Sequence, residues 1–144
     1  MALLRQYGAI ARTAECAGVA AIVIPERNSV RVTSDAVKTS AGALFHLPVC
    51  REKSVADAIR TLQGNGVMVV GATEKGSVPY TEIDMTVPVA IVMGSEDTGL
   101  EDDVIRSCDR LGAIPMRGRI GSLNVSVAAG VLIYEAVRQR GNMA

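Results

Sequence analysis

Short, unbroken apolar runs alternate along this chain with stretches in which apolar residues recur three and four positions apart. The runs cover residues 20–24, 67–70, 87–93 and 111–114. Each is rich in Val, Ile or Ala and bounded by Gly, Pro or polar residues, the pattern of strands covered on both faces in a parallel sheet. Between them lie helical patterns. One spans residues 8–17. A second opens at Ser54-Val55-Ala56-Asp57 with the spacing of a capping box and carries Val55, Ile59 and Leu62 on one face. A third follows Gly99 over residues 100–107, and the last, 125–140, follows Asn124, a residue type favoured at helix N-caps. Strand alternating with helix predicts an α/β fold with a mostly parallel sheet and helices on both faces. In such sheets ligands sit beyond the carboxyl ends of the strands. The stretches 71–79, 94–100 and 115–124 are therefore where chemistry is expected.

No internal repeat, low-complexity tract or linker divides the 144 residues, so residues 1–144 are expected to form one domain. A chain of this length removes about two-thirds of its unfolded surface from water. Apolar residues make up 49%, and mean hydropathy is +0.27, which excludes intrinsic disorder. One Phe, three Tyr and no Trp leave too few aromatic platforms for base stacking of the RRM or OB type. The most apolar stretch, 125–134, is interrupted by Ser126 and Gly130 and falls short of a membrane span, so no membrane partner is expected. No secretion signal is legible, and the cytoplasm is the expected location.

Fifteen basic and fifteen acidic residues cancel, but their distribution is uneven. Arg5, Arg12, Arg27 and Arg31 lie near the start and Arg117, Arg119, Arg138 and Arg140 near the end, while residues 81–110 hold eight acids. This fits either a basic face built from the two ends or simply solvated charge.

The 94–100 stretch, Gly94-Ser95-Glu96-Asp97-Thr98-Gly99-Leu100, follows a strand and has glycines where backbone can approach a ligand closely. Its two acids disfavour a phosphate cradle, and neither a P-loop nor a Rossmann glycine motif occurs. An ordinary turn is the competing reading. In the 115–124 stretch, Arg117 and Arg119 suit phosphate oxygens, and Ser122 and Asn124 stand before a helix, where turn and N-cap roles compete with binding. Arg12 sits among small residues on a helix, which calls for either a carboxylate or phosphate partner or a solvated surface position. The single histidine, His46, is four residues from Cys50 with Pro48 between. That spacing does not place the pair on one helix face, and no metal site is expected. Three scattered cysteines exclude a disulfide framework, and a lone His disfavours Ser–His–Asp chemistry.

Taken in order, three stretches resemble the SpoU (TrmH-type) class of SPOUT RNA methyltransferases. Gly8-Ala9-Ile10-Ala11-Arg12-Thr13-Ala14-Glu15 resembles the first family motif, which contains an essential Arg. Val92-Met93-Gly94-Ser95-Glu96-Asp97-Thr98-Gly99-Leu100 resembles the second. Ile114-Pro115-Met116 through Ser122-Leu123-Asn124-Val125-Ser126 resembles the third and is the most specific. Gly42-Ala43 ahead of Leu47-Pro48-Val49, and the final Glu135-Ala136-Val137-Arg138-Gln139-Arg140, are similar to the bacterial ribosomal branch, which methylates a guanosine 2′-hydroxyl in large-subunit RNA.

The resemblance implies a C-terminal deep trefoil knot, a bound S-adenosylmethionine, an rRNA or tRNA substrate and a homodimer whose site is completed across the interface. It implies cofactor contacts at Gly94, Ile114, Leu123, Thr73 and Met116, with Arg12, Asn124, Ser122 and Glu96 at the remaining site positions. The chain departs from the family pattern at its start. Gln6 stands at the position of a usual Asn without the preceding Asp-Pro, and the family's first strand and any RNA-binding extension are expected to lie outside this sequence. Ser95 and Asp97 replace the commoner Asn or Ala and Gly. A non-catalytic RNA-binding or assembly protein on the same fold is the alternative expectation.

Overall fold

All four apolar runs become strands, and every strand pairing in the molecule's described part is parallel. The computed structural model describes residues 2–25, 47–75, 78–95 and 99–141. In chain order the elements are α1 (Ala2–Cys16), β1 (Ile22–Pro25), β2 (Val49–Glu52), α2 (Val55–Gly64), β3 (Met68–Ala72) and β4 (Val78–Pro79), which runs into a 3-10 turn (Tyr80–Glu82). They continue with β5 (Val89–Val92), α3 (Asp102–Ser107), β6 (Arg110–Ala113) and α4 (Val125–Arg140). Glu96, Asp97, His46, Gly42 and Ala43, all singled out above, lie outside the described residues.

The chain divides into two compact units, Met1–Ala58 and Ile59–Ala144. In the first, β1 pairs with β2 from Ile22↔Val49 to Pro25↔Glu52, and the Ile22 N–H donates to Pro48 O at 3.0 Å. Strand β2 has no apolar run: two of its four residues are exposed, so its sequence carries little of the hydrophobic signal by which strands are read. Helix α1 buries Ala11 and Ala14 and exposes Arg12, Glu15 and Cys16. Small residues on one helix face allow close packing while the long polar ones stay in water. At the start of α2 the Ser54 hydroxyl accepts the Asp57 N–H at 3.1 Å, the capping bond that the sequence predicts.

In the second unit the strands lie in the order β4-β6-β3-β5. Central strand β3 lies deepest, with Val69 and Val70 fully buried. Val70 packs with Ile83, Met85 and Ala136, flanked by Met68, Val78 and Val89, so one face of β3 is covered by α4 and the segment before β5. On β3, a Cβ added to Gly71 would come within 2.9–3.1 Å of Cys108 Sγ, Leu100 Cδ1 and Leu111 Cδ2, which shows how closely those side chains cover the strand. Burial raises the Cys108 thiol pKa, with a further push from Asp109. Asp109 joins β6 to β3 before their ladder begins. Its Oδ2 accepts from Val69 N at 2.8 Å and Gln63 Nε2 at 3.2 Å, and its own N–H donates to Val69 O at 2.9 Å. Among the described residues, no helix is long and apolar enough to cross a membrane.

Candidate functional site

The parallel register decides which residues leave the sheet together. Val92 on β5 is level with Gly71 on β3, and Ala72 on β3 is level with Gly112 on β6. Counting on from those pairs, Gly94, Thr73 and Ala113 leave at one level, and Ile114 is the next residue along. The Thr73 N–H donates to Gly112 O at 3.1 Å and fixes this step. Three residues expected to contact a cofactor, Thr73, Gly94 and Ile114, are thus gathered at the carboxyl edge of three adjacent strands. Each is half-buried, neither sealed in the core nor fully in water.

The turn after β5 closes on itself. Ser95 and Gly99 exchange backbone hydrogen bonds, Gly99 N to Ser95 O at 2.9 Å and Ser95 N to Gly99 O at 3.3 Å. Leu100 is buried behind them. A Cβ on Gly94 would overlap the Gly99 carbonyl carbon and come 2.5 Å from Leu100 N, so the turn requires glycine there for space. Gly99 meets a different need: its φ of +69° is left-handed, a region that side chains disfavour. Just past β3, Thr73 Oγ1 accepts the Lys75 N–H at 3.2 Å and shapes the departing loop.

The third loop leaves β6 at the same edge. Every residue from 115 to 124 is exposed, including Met116, Ser122, Leu123 and Asn124. Asn124 is the N-cap of α4, its Oδ1 accepting from Ser126 N at 2.9 Å and Ser126 Oγ at 2.5 Å. The N-cap reading of Asn124 is therefore correct, and it places the side chain at the positive end of a 16-residue helix whose first turn holds no acid. Arg117 and Arg119 stand exposed on the same loop, so that loop has the electrostatics to meet an anion. Apolar side chains are exposed beside these charges: Ile120 is 81% accessible, and Leu123 and Val127 are 40% and 53% accessible.

The register brings Thr73, Gly94 and Ile114 together at one edge of one unit, and Met116, Ser122, Leu123 and Asn124 follow on the exposed loop that leaves it. Arg12 belongs to the other unit, exposed on α1. Glu96 lies outside the described residues. Sequence reasoning missed a cluster at the far end of α4. Glu135 is 6% exposed and takes a bidentate contact from Arg138, Nε at 2.6 Å and Nη2 at 3.0 Å, plus Gln139 Nε2 at 2.9 Å. Those bonds, the Arg138 contact first, hold the Glu135 carboxyl below its ordinary pKa against the opposing effect of burial. The available signal was a carboxylate three residues after Leu132, beside an apolar helix stripe, with a Gln at i+4.

A parallel sheet with the second and third motif stretches on turns at its carboxyl edge, and the first on α1 of the other unit, defines a class, and a family model confirms it. The model describing the SpoU rRNA Methylase family matches residues 5–134, and the chain belongs to that family. A protein of Staphylococcus saprophyticus named for the TrmH tRNA/rRNA methyltransferase family is 44% identical over 133 residues, 92% of this chain and 53% of the relative. The AdoMet-bound rRNA methyltransferase of Sinorhizobium meliloti superimposes with a TM-score of 0.88 at 34% identity, covering 94% of this chain and 52% of that one. A solved RNA 2′-O ribose methyltransferase superimposes with a TM-score of 0.86 at 32% identity, covering 95% of this chain and 52% of that one. The chain spans about half the length of the curated relatives it matches.

Proposed function

We propose that this chain is the S-adenosylmethionine-dependent catalytic domain, residues 1–144, of an RNA ribose 2′-O-methyltransferase acting on a guanosine in rRNA. The observation that carries the reading is the row of turns at the carboxyl edge of β5, β3 and β6. It offers what this cofactor needs: backbone N–H and C=O groups at Gly94 and Ile114 for its polar atoms, with Thr73 level with Gly94, and apolar Ile114, Met116 and Leu123 to flank an adenine. The position of β6 between β4 and β3 suits a knotted SPOUT arrangement, with helices on both faces and a threaded C-terminal segment. Exposed Ile120, Val127 and Tyr134 suit a homodimer. The reaction belongs in the cytoplasm.

When bound, S-adenosylmethionine supplies a methyl group activated by a sulfonium. The chain's own residues then have a positioning task, because in-line displacement depends on near-attack geometry. Arg12 grips a phosphate of the target nucleotide bidentately, and its positive charge stabilises the 2′-oxygen as the hydroxyl proton passes to water. Ser122 and Asn124 orient the ribose by hydrogen bonds, and Glu96 braces the turn. Phosphate attraction to Arg117, Arg119 and the α4 N-terminus guides the RNA.

Calorimetric titration with S-adenosylmethionine, followed by methylation of total rRNA and tRNA with labelled cofactor, tests this. Saturable binding and 2′-O-methylation of a single rRNA guanosine are expected. No heat at millimolar cofactor would refute the reading, and a methylated tRNA would correct the substrate.

A further inference from the structure

Every residue from 115 to 124 is exposed, so the placement of this loop depends on its two ends: β6, held in the sheet, and α4. What holds α4 along its own axis is unevenly distributed. Its middle packs by apolar contact, through Ala129, Leu132, Ile133 and Ala136, and such contact has little directional preference. Its last turns make directional bonds to the backbone of the segment before β5. Gln139 Oε1 accepts the Met85 N–H at 2.7 Å, while Gln139 Nε2 donates to Ile83 O at 2.8 Å and to buried Glu135 at 2.9 Å. Arg140 donates from Nε to Met85 O at 2.8 Å and from Nη2 to Val87 O at 2.5 Å. One amide side chain thus reads both a donor and an acceptor on the facing backbone, a pattern satisfied at one helix register only.

We propose that Gln139, held in place by Glu135, is a positioning residue. It sets the axial register of α4 and so the placement of Ser122, Leu123 and Asn124 at the opposite end, about 22 Å away at 1.5 Å per residue. The consequence for ligand binding rests on the function proposed above, whereas the coupling between the two ends of the helix does not.

The test compares Gln139→Ala with Ile59→Val, a buried-core variant on α2 that lowers stability and leaves the Gln139 bonds in place. Two readouts are taken: backbone amide NMR shifts of residues 122–126 without ligand, and calorimetric affinity for S-adenosylmethionine. Gln139→Ala is expected to move the 122–126 resonances and weaken binding about tenfold, while Ile59→Val does neither. Glu135→Gln keeps an acceptor for Gln139 and stays close to wild type in both. If Gln139→Ala does not fold, Gln139→Met, which keeps the length of the side chain and removes its bonds to Met85, Ile83 and Glu135, carries the same test. Unmoved 122–126 resonances, or equal changes in Ile59→Val, overturn the proposal, even with cofactor binding intact. Moved resonances in a protein that binds no cofactor support the positioning role and refute the functional reading instead.

Discussion

Replacing Gly94 with Ala tests the closed turn most sharply. The new Cβ would overlap the Gly99 carbonyl carbon and fall 2.5 Å from Leu100 N and 2.7 Å from Gly99 O. All three are backbone atoms, so no rotamer change relieves the clash. The turn must open, and the Ser95–Gly99 pair of hydrogen bonds at 2.9 and 3.3 Å is the contact that gives way. Two such bonds at about 1 kcal/mol each, with strain of about 1 kcal/mol or more, give a loss of roughly 2–4 kcal/mol. Gly99→Ala meets no atom within 4 Å but sits at φ +69°, so it should lose about 1–2 kcal/mol from the left-handed backbone alone. Gly118→Ala and Gly121→Ala, also with nothing within 4 Å, should stay within about 0.5 kcal/mol of wild type. Urea unfolding of the four variants at constant m-value gives the ranking, and titration with S-adenosylmethionine should show a loss of more than tenfold in Gly94→Ala. A Gly94→Ala protein with the wild-type midpoint and affinity would mean that the turn does not close as described.

Asn124→Ala should cost about 1 kcal/mol by removing the α4 cap, and Asn124→Ser should restore most of that stability without restoring single-turnover methylation; full activity in Asn124→Ser would leave Asn124 a cap alone. Arg12→Ala, at an exposed position on α1, should unfold within about 0.5 kcal/mol of wild type and bind cofactor normally while methyl transfer drops at least a hundredfold. Unchanged turnover removes Arg12 from the mechanism. The Glu135 carboxyl is held below its ordinary pKa by Arg138 and Gln139, so its contribution is present above the unfolded carboxyl value and lost as pH falls through the lower folded one. Thermal midpoints of Glu135→Gln should accordingly converge with those of wild type in acid and separate as pH rises toward about 4.3, the difference staying constant above it.

Much of this was legible because parallel strands buried on both faces leave continuous apolar runs. Runs 67–70, 87–93 and 111–114 match β3, β5 and β6 closely, and Asn124 marked the start of α4 to the residue. Strands β2 and β4 were not legible, for physical reasons. Val49–Glu52 is half exposed, and Val78–Pro79 is too short to show a period. Helix α3 starts at Asp102 rather than 100, since Leu100 is used to cover Gly71 and Glu101 stands at the N-cap. The candidate cofactor residues were readable as loops, but their convergence was not. Convergence follows from strand order and register, which depend on pairings up to dozens of residues apart. The Gln139 clamp was least visible of all, because its partners are backbone atoms of Ile83 and Met85, and backbone bonding leaves no trace in side-chain identity.

The same distinction bears on the chain's departures from its family's second motif. Ser95 stands where Asn or Ala is commoner, and a side chain that formed the turn would make this a serious change. Ser95 instead enters the turn's bridge through its own N–H and C=O, paired with those of Gly99. Any residue presents those groups. What the turn demands of side chains is their absence, at Gly94 for space and at Gly99 for backbone conformation, and both glycines are present. The demand at Leu100 is for an apolar side chain that reaches Gly71, and it too is met. The backbone bridge of the turn is therefore open to any residue at 95, and the positions where its geometry is demanding, 94, 99 and 100, are filled as it requires.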